Sequence, residues 1–148
     1  MALRRSVLAE VGAFDEALDA GTQTKSGGDT DMLSQIVTRG YCIVYDPAAL
    51  NWHRHRRTWE ELLAQAYGYG VGSYGVLAAL WLREHDIAVF PFALDWLVLE
   101  QLPRLVHSLL RRPGSVSPSL PLAELRGCRA GAGAYLAERR KQQEGRPG

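Results

Sequence analysis

One segment of this chain reads plainly as a β-strand, and everything around it reads as helix. Tyr41-Cys42-Ile43-Val44-Tyr45 is β-branched and aromatic and runs into Asp46-Pro47, the signature of a strand followed by a turn. Ala49–His53 offers a second, shorter strand. Before them, Val7, Leu8 and Val11 repeat at helical spacing up to Gly12, and a polar stretch from Phe14 to Gly28 forms a long loop. Met32, Leu33, Ile36 and Val37 then predict a helix from Asp29, with Gly40 as its left-handed stop. Thr58 with Glu61 three residues later is a capping box. It opens a helix that reaches Glu84, and further helices are expected over about Ala93–Arg112 and Leu122–Lys141, with a Pro/Ser/Gly linker between them. One confident strand is too few for a complete α/β domain, so the chain reads as a piece of something larger.

At 148 residues, 47% hydrophobic and 22% charged, the chain has room for one soluble core and is neither disordered nor fibrous. No uncharged apolar run is long enough to cross a bilayer; the longest, Ile87–Leu99, is broken by Pro91 and Asp95. Cys42 and Cys128 are too few for a disulfide framework, and with no signal peptide visible the expected compartment is the reducing cytoplasm. The net charge of +1 hides an asymmetry: residues 101–148 hold nine Lys/Arg against three Asp/Glu, whereas residues 1–50 hold four against seven. That basic third fits a solvated tail or a surface facing anionic lipid head groups or polyphosphate.

Two clusters carry the chemistry. Gly27-Gly28-Asp29-Thr30-Asp31 sets two carboxylates at the mouth of a helix, where the backbone N–H groups and the helix dipole favour an ionised acid. Such an acid can serve as a general base, and equally as a plain N-cap. Trp52-His53-Arg54-His55-Arg56-Arg57, if extended, turns both histidines to one side, offering an imidazole to a metal and the guanidiniums of Arg54 and Arg56 to a phosphate; otherwise it is a basic surface turn. The G-x-G-x-x-G match at Gly70–Gly75 follows a helix rather than a strand. It reads instead as part of a small-residue packing face with Gly68, Gly72, Gly75 and Ala79. No catalytic triad or zinc ribbon can be assembled, and no nucleic-acid motif frames the arginines.

In order and spacing, several segments resemble the C-terminal half of family 2 glycosyltransferases, inverting enzymes of the GT-A α/β fold. They are Val11-Gly12-Ala13-Phe14-Asp15-Glu16, Gly27-Gly28-Asp29-Thr30-Asp31, Gly40-Tyr41, Val44-Tyr45-Asp46-Pro47, Trp52-His53-Arg54-His55-Arg56 and Tyr67-Gly68-Tyr69-Gly70. The resemblance implies a partial GT-A unit over residues 1–66 and a helical extension over 67–148. It implies a bacterial cell-envelope enzyme passing sugar from a nucleotide-sugar donor to a glycan or lipid-linked acceptor. Asp29 would be the base, Phe14, Asp15, Glu16 and Asp31 would line the acceptor site, His53 would join a divalent Mn or Mg ion expected only with the missing donor-binding half present, and Arg54 and Arg56 would meet phosphate. Asp29 and His53 would then face one site, within about 10 Å. The donor-binding half and its D-x-D motif are absent, which makes Met1 an internal methionine of a longer ancestor and implies that the isolated chain is inactive. An alternative of another class is a non-catalytic helical module. Its amphipathic stretch, Leu94–Leu110, with Arg104, Arg111 and Arg112, would dock on the inner face of a membrane or on a partner protein.

Overall fold

The computed structural model describes residues 1–145 and is helical, with no strand among the described residues. The helices are α1 (Arg5–Val11), α2 (Gly28–Thr38), α3 (Trp59–Glu84), α4 (Val89–Asp95), α5 (Leu102–Leu109) and α6 (Ser119–Glu144). A 3₁₀ turn spans Glu16–Leu18, and a π-helical segment, Trp96–Gln101, fuses α4 and α5 into one continuous rod.

The expected GT-A α/β fold is therefore incorrect. Tyr41–Tyr45 has strand-forming residues but no strand beside it to take its backbone N–H and C=O groups, and a lone strand is not a stable element. Instead residues 42–58 run as exposed irregular chain, with Ile43, Val44 and Tyr45 all open to solvent. Tyr41 alone is tethered, its N–H reaching the Ile36 carbonyl (3.1 Å) to close α2 at Gly40, whose φ is +82°.

Local signals elsewhere act as read. The Thr58 hydroxyl accepts from the Glu61 N–H while the Glu61 carboxylate accepts from the Thr58 N–H, so the capping box starts α3. Asp29, by contrast, is not the cap of α2: Gly27 holds that position, and Asp29 sits in the first turn.

The body is built on α3 and α6. Tyr67 and Val71 meet Gly127, Gly75 meets Gly131, and Ala79 shares a cluster with Tyr135, so the two helices run parallel. They approach so closely that a Cβ on Gly70 would lie 2.0 Å from the Glu124 carbonyl oxygen, and one on Gly127 2.1 Å from that of Tyr67. Of the small residues expected to form one packing face of α3, Gly75 and Ala79 face α6, joined by Gly70, whereas Gly68 and Gly72 pack on Lys25 and Ser26 of the loop before α2; α6 supplies Gly127 and Gly131 opposite. The rod of α4, the π segment and α5 carries the chain back antiparallel to both, with the Tyr74 hydroxyl donating to the Ala93 carbonyl (3.1 Å) near one end and Gln101 and Arg104 reaching Glu124 near the other. At the foot of the bundle, Ala17, Leu18, Val76, Ala79 and Tyr135 form one apolar cluster, and Val11, Met32 and Ile36 form a second between α1 and α2.

The π segment has a local cause. Pro103 has no N–H to donate and its ring would crowd a regular helical turn. The turn before it widens, so the Leu102 N–H bonds back to Leu97.

Candidate functional site

Asp31 is the most constrained acid in the chain. Its carboxylate is fully buried and takes two hydrogen bonds from the Arg83 guanidinium, at 3.0 and 3.2 Å, and a third from Gln35 Nε2 at 2.8 Å. Arg83 also lies 3.9 Å from Asp15, whose other contacts are the Tyr135 hydroxyl (2.7 Å) and the Ala17 N–H (3.0 Å). Burial, and then the hydrogen bond to Asp15, push the Tyr135 phenol well above its ordinary range, so it stays a donor. These contacts staple α2, the Glu16–Leu18 turn and α6 to Arg83 near the end of α3. Asp15 and Asp31 thus hold helices together, which fully employs both carboxylates.

Asp29 stands apart. It is exposed and lies on an open groove of about 1660 Å³, together with Phe14, Asp15, Glu16, Lys25, Tyr69 and Trp96. An exposed carboxylate there can accept a proton from a ligand hydroxyl, but among the described residues no side-chain hydrogen bond or ion pair orients it as a base is oriented in a catalytic pair. Asp31, His53, Arg54 and Arg56 do not line the groove. His53 and His55 are exposed, with ring centroids 5.6 Å apart, on the irregular segment after Tyr41. Among the described residues no three His, Cys, Asp or Glu side chains converge on a metal position. Cys128 is equally unreactive in character: its thiol donates to the Glu124 carbonyl (3.0 Å), and burial, reinforced by the nearby Glu124 charge, pushes it up to about 11.

The second feature is the rod itself, which is packed with its polar side inward. Gln101 and Ser108 are 1% and 2% exposed, whereas Phe92 and Leu99 are 62% and 67% exposed. Gln101 Nε2 donates to Glu124 (3.1 Å), Arg104 pairs with the same carboxylate (3.1 Å), and the Ser108 hydroxyl donates to the Arg104 carbonyl (2.8 Å). Pointing outward are Leu94, Val98, Leu102, Val106 and Leu109, which follow one another at three- and four-residue spacing and so form a stripe, while Phe90 at its start packs edge-on against Trp81 of α3 (ring centroids 5.1 Å). Arg111 and Arg112 are exposed just past the end of the stripe. Sequence reading located this amphipathic stretch but could not say which side faces the protein. The one available signal was the polar series Gln101, Arg104 and Ser108 at i, i+3 and i+7, matched to Glu124 on a later helix.

No family model matches the chain, and neither a curated protein nor a solved structure does. With no strand among the described residues and no family match, the resemblance to family 2 glycosyltransferases is overturned, and with it the description of the chain as a bacterial cell-envelope GT-A enzyme. The motif segments that carried it lie on α1, α2 and the long α3, in the Phe14–Gly28 loop and in the exposed 42–58 segment. No helix among the described residues is long and apolar enough to cross a membrane.

Proposed function

We propose that this chain is a helical docking module that seats on the surface of a phospholipid membrane through the rod Val89–Leu109. The observation that carries this reading is the inverted packing of the rod, with glutamine and serine inside and a stripe of leucine and valine outside. A soluble helix normally buries its apolar stripe, and an exposed stripe of this length marks a surface that meets something apolar. The rod is about 30 Å long at 1.5 Å per residue, which suits lying in the head-group plane.

Lipid is favoured over a protein partner by charge. Arg111 and Arg112 are exposed at one end of the stripe, and the chain from residue 101 onward is strongly basic. Asp95 and Glu100 are also exposed on the rod, so the apolar stripe supplies most of the binding and the arginines orient it.

Vesicle co-sedimentation tests the reading. The full chain is expected to bind phosphatidylcholine vesicles containing phosphatidylserine, and Leu94→Ser with Leu99→Ser together should weaken that binding by about tenfold or more, since each leucine carries well over 1 kcal/mol of transfer free energy when buried. Asp29→Asn should leave it unchanged. Equal binding by the double variant, or none by the unaltered chain, would reject the proposal.

A further inference from the structure

Residues 42–56 belong to neither apolar cluster of the bundle, yet they carry a dense group of membrane-seeking side chains. Leu50 and Trp52 are almost completely exposed, and Trp59 nearly half so. Between the two tryptophans lie Arg54, Arg56 and Arg57, and the chain has no acid between Asp46 and Glu60. None of these three guanidiniums is in an ion pair among the described residues. The carboxylate of Glu61 just beyond them is occupied by the backbone N–H groups of Arg57 (3.0 Å) and Thr58 (3.3 Å). Those bonds, helped by the charge of Arg56, hold the Glu61 carboxyl below its ordinary range, so it serves the helix cap.

Resting on the reading of the rod as a membrane-docking surface, we infer that Leu50–Arg57 is a second, electrostatic anchor that binds anionic phospholipid head groups. Tryptophan and arginine side by side are the residues of a membrane–water interface: the indole sits among head groups while guanidinium forks take phosphate oxygens. The segment leaves the body beside the rod, since Ile43 shares the walls of the large groove with Phe92 and Trp96. The rod itself carries two exposed acids, Asp95 and Glu100, and one arginine, Arg104, which is paired with Glu124, so it draws little on anionic charge. The 50–57 segment carries no acid and supplies that attraction. Lipid is favoured over RNA because the exposed aliphatic residues Ile43, Val44 and Leu50 beside Tyr45 and Trp52 suit hydrocarbon rather than bases, and RNA binding is an outcome of the test.

The test uses the full chain, vesicles of phosphatidylcholine alone or with about one third phosphatidylserine, and a single-stranded RNA, all at about 0.1 M salt. The triple variant Arg54→Gln, Arg56→Gln, Arg57→Gln touches no core residue, and circular dichroism checks its helix content. It is expected to lose the tenfold or greater enhancement by phosphatidylserine while binding phosphatidylcholine as before. Leu94→Ser with Leu99→Ser should weaken binding to both vesicles. If the triple variant keeps the full enhancement while the double serine variant binds weakly, the anchor is wrong and the docking rod stands. Failure of the unaltered chain to bind either vesicle overturns both, and RNA binding without vesicle binding assigns the segment to nucleic acid and overturns the inference.

Discussion

Arg83→Met is expected to destabilise the fold by about 3–5 kcal/mol, a large share of the 5–15 kcal/mol that holds an ordinary domain together. Asp31 is fully buried, and Arg83 supplies two of the three side-chain hydrogen bonds it accepts. Methionine keeps the bulk of the arginine stem and removes the charge, leaving a carboxylate that must stay ionised without its partner or take up a proton. The cost comes from that stranded acid rather than from the intrinsic worth of the pair. Adding Asp31→Leu to Arg83→Met should therefore recover part of the loss, because both charges are then gone. Arg83→Lys should fall between, since an ammonium keeps the charge but cannot match the two-pronged geometry. Urea unfolding of the four proteins measures this directly. An Arg83→Met variant within about 1 kcal/mol of the unaltered chain would show that the cluster does not staple the helices.

The second large effect is expected at the α3–α6 contact, where the sign of a glycine-to-alanine change depends on position. Alanine favours helix over glycine by about 1 kcal/mol at an open site. Gly133 is such a site, with nothing within 4 Å of an added Cβ, so Gly133→Ala should stabilise by about 0.5–1 kcal/mol. At Gly127 the same Cβ would meet the Tyr67 carbonyl oxygen at 2.1 Å and the Val71 nitrogen at 2.8 Å. Both are backbone atoms that cannot rotate away, so the helices must part along their whole contact. Gly127→Ala should destabilise by about 2 kcal/mol or more despite its helix gain, and Gly127→Leu by more still. Denaturation midpoints of the two alanine variants moving in the same direction would contradict the parallel, close-packed pairing.

Much of the local structure was legible in the residues. The capping box at Thr58 and Glu61, the stop at Gly40 and the small-residue face of α3 all depend on neighbours a few positions away, and such signals survive in any tertiary setting. Tyr41–Tyr45 misled for the complementary reason: a strand is a property of two chains side by side, and its composition says nothing of whether a partner exists. Asp31 has the same difficulty, because its partner Arg83 lies 52 residues further on and no periodicity links them. The glycosyltransferase resemblance drew on acids and aromatics that here brace helices, Asp15 to Tyr135 and Asp31 to Arg83, so shared residue types concealed a different use. In the rod, hydrophobic spacing revealed an amphipathic helix but is symmetric between facing the core and facing outward. Only Glu124, half-buried opposite Gln101 and Arg104, breaks that symmetry.

The docking claim is tested most directly by nitroxide labels placed one at a time along the rod, with Cys42 and Cys128 first replaced by alanine. The quantity measured is the collision rate with a water-soluble nickel chelate, with and without phosphatidylserine-containing vesicles. Labels at Leu94, Val98, Leu102, Val106 and Leu109 are predicted to lose chelate collisions and gain oxygen collisions when vesicles are added, while labels at Gln101 and Ser108 stay shielded throughout. Unchanged chelate access along the outward stripe in the presence of vesicles would contradict the account.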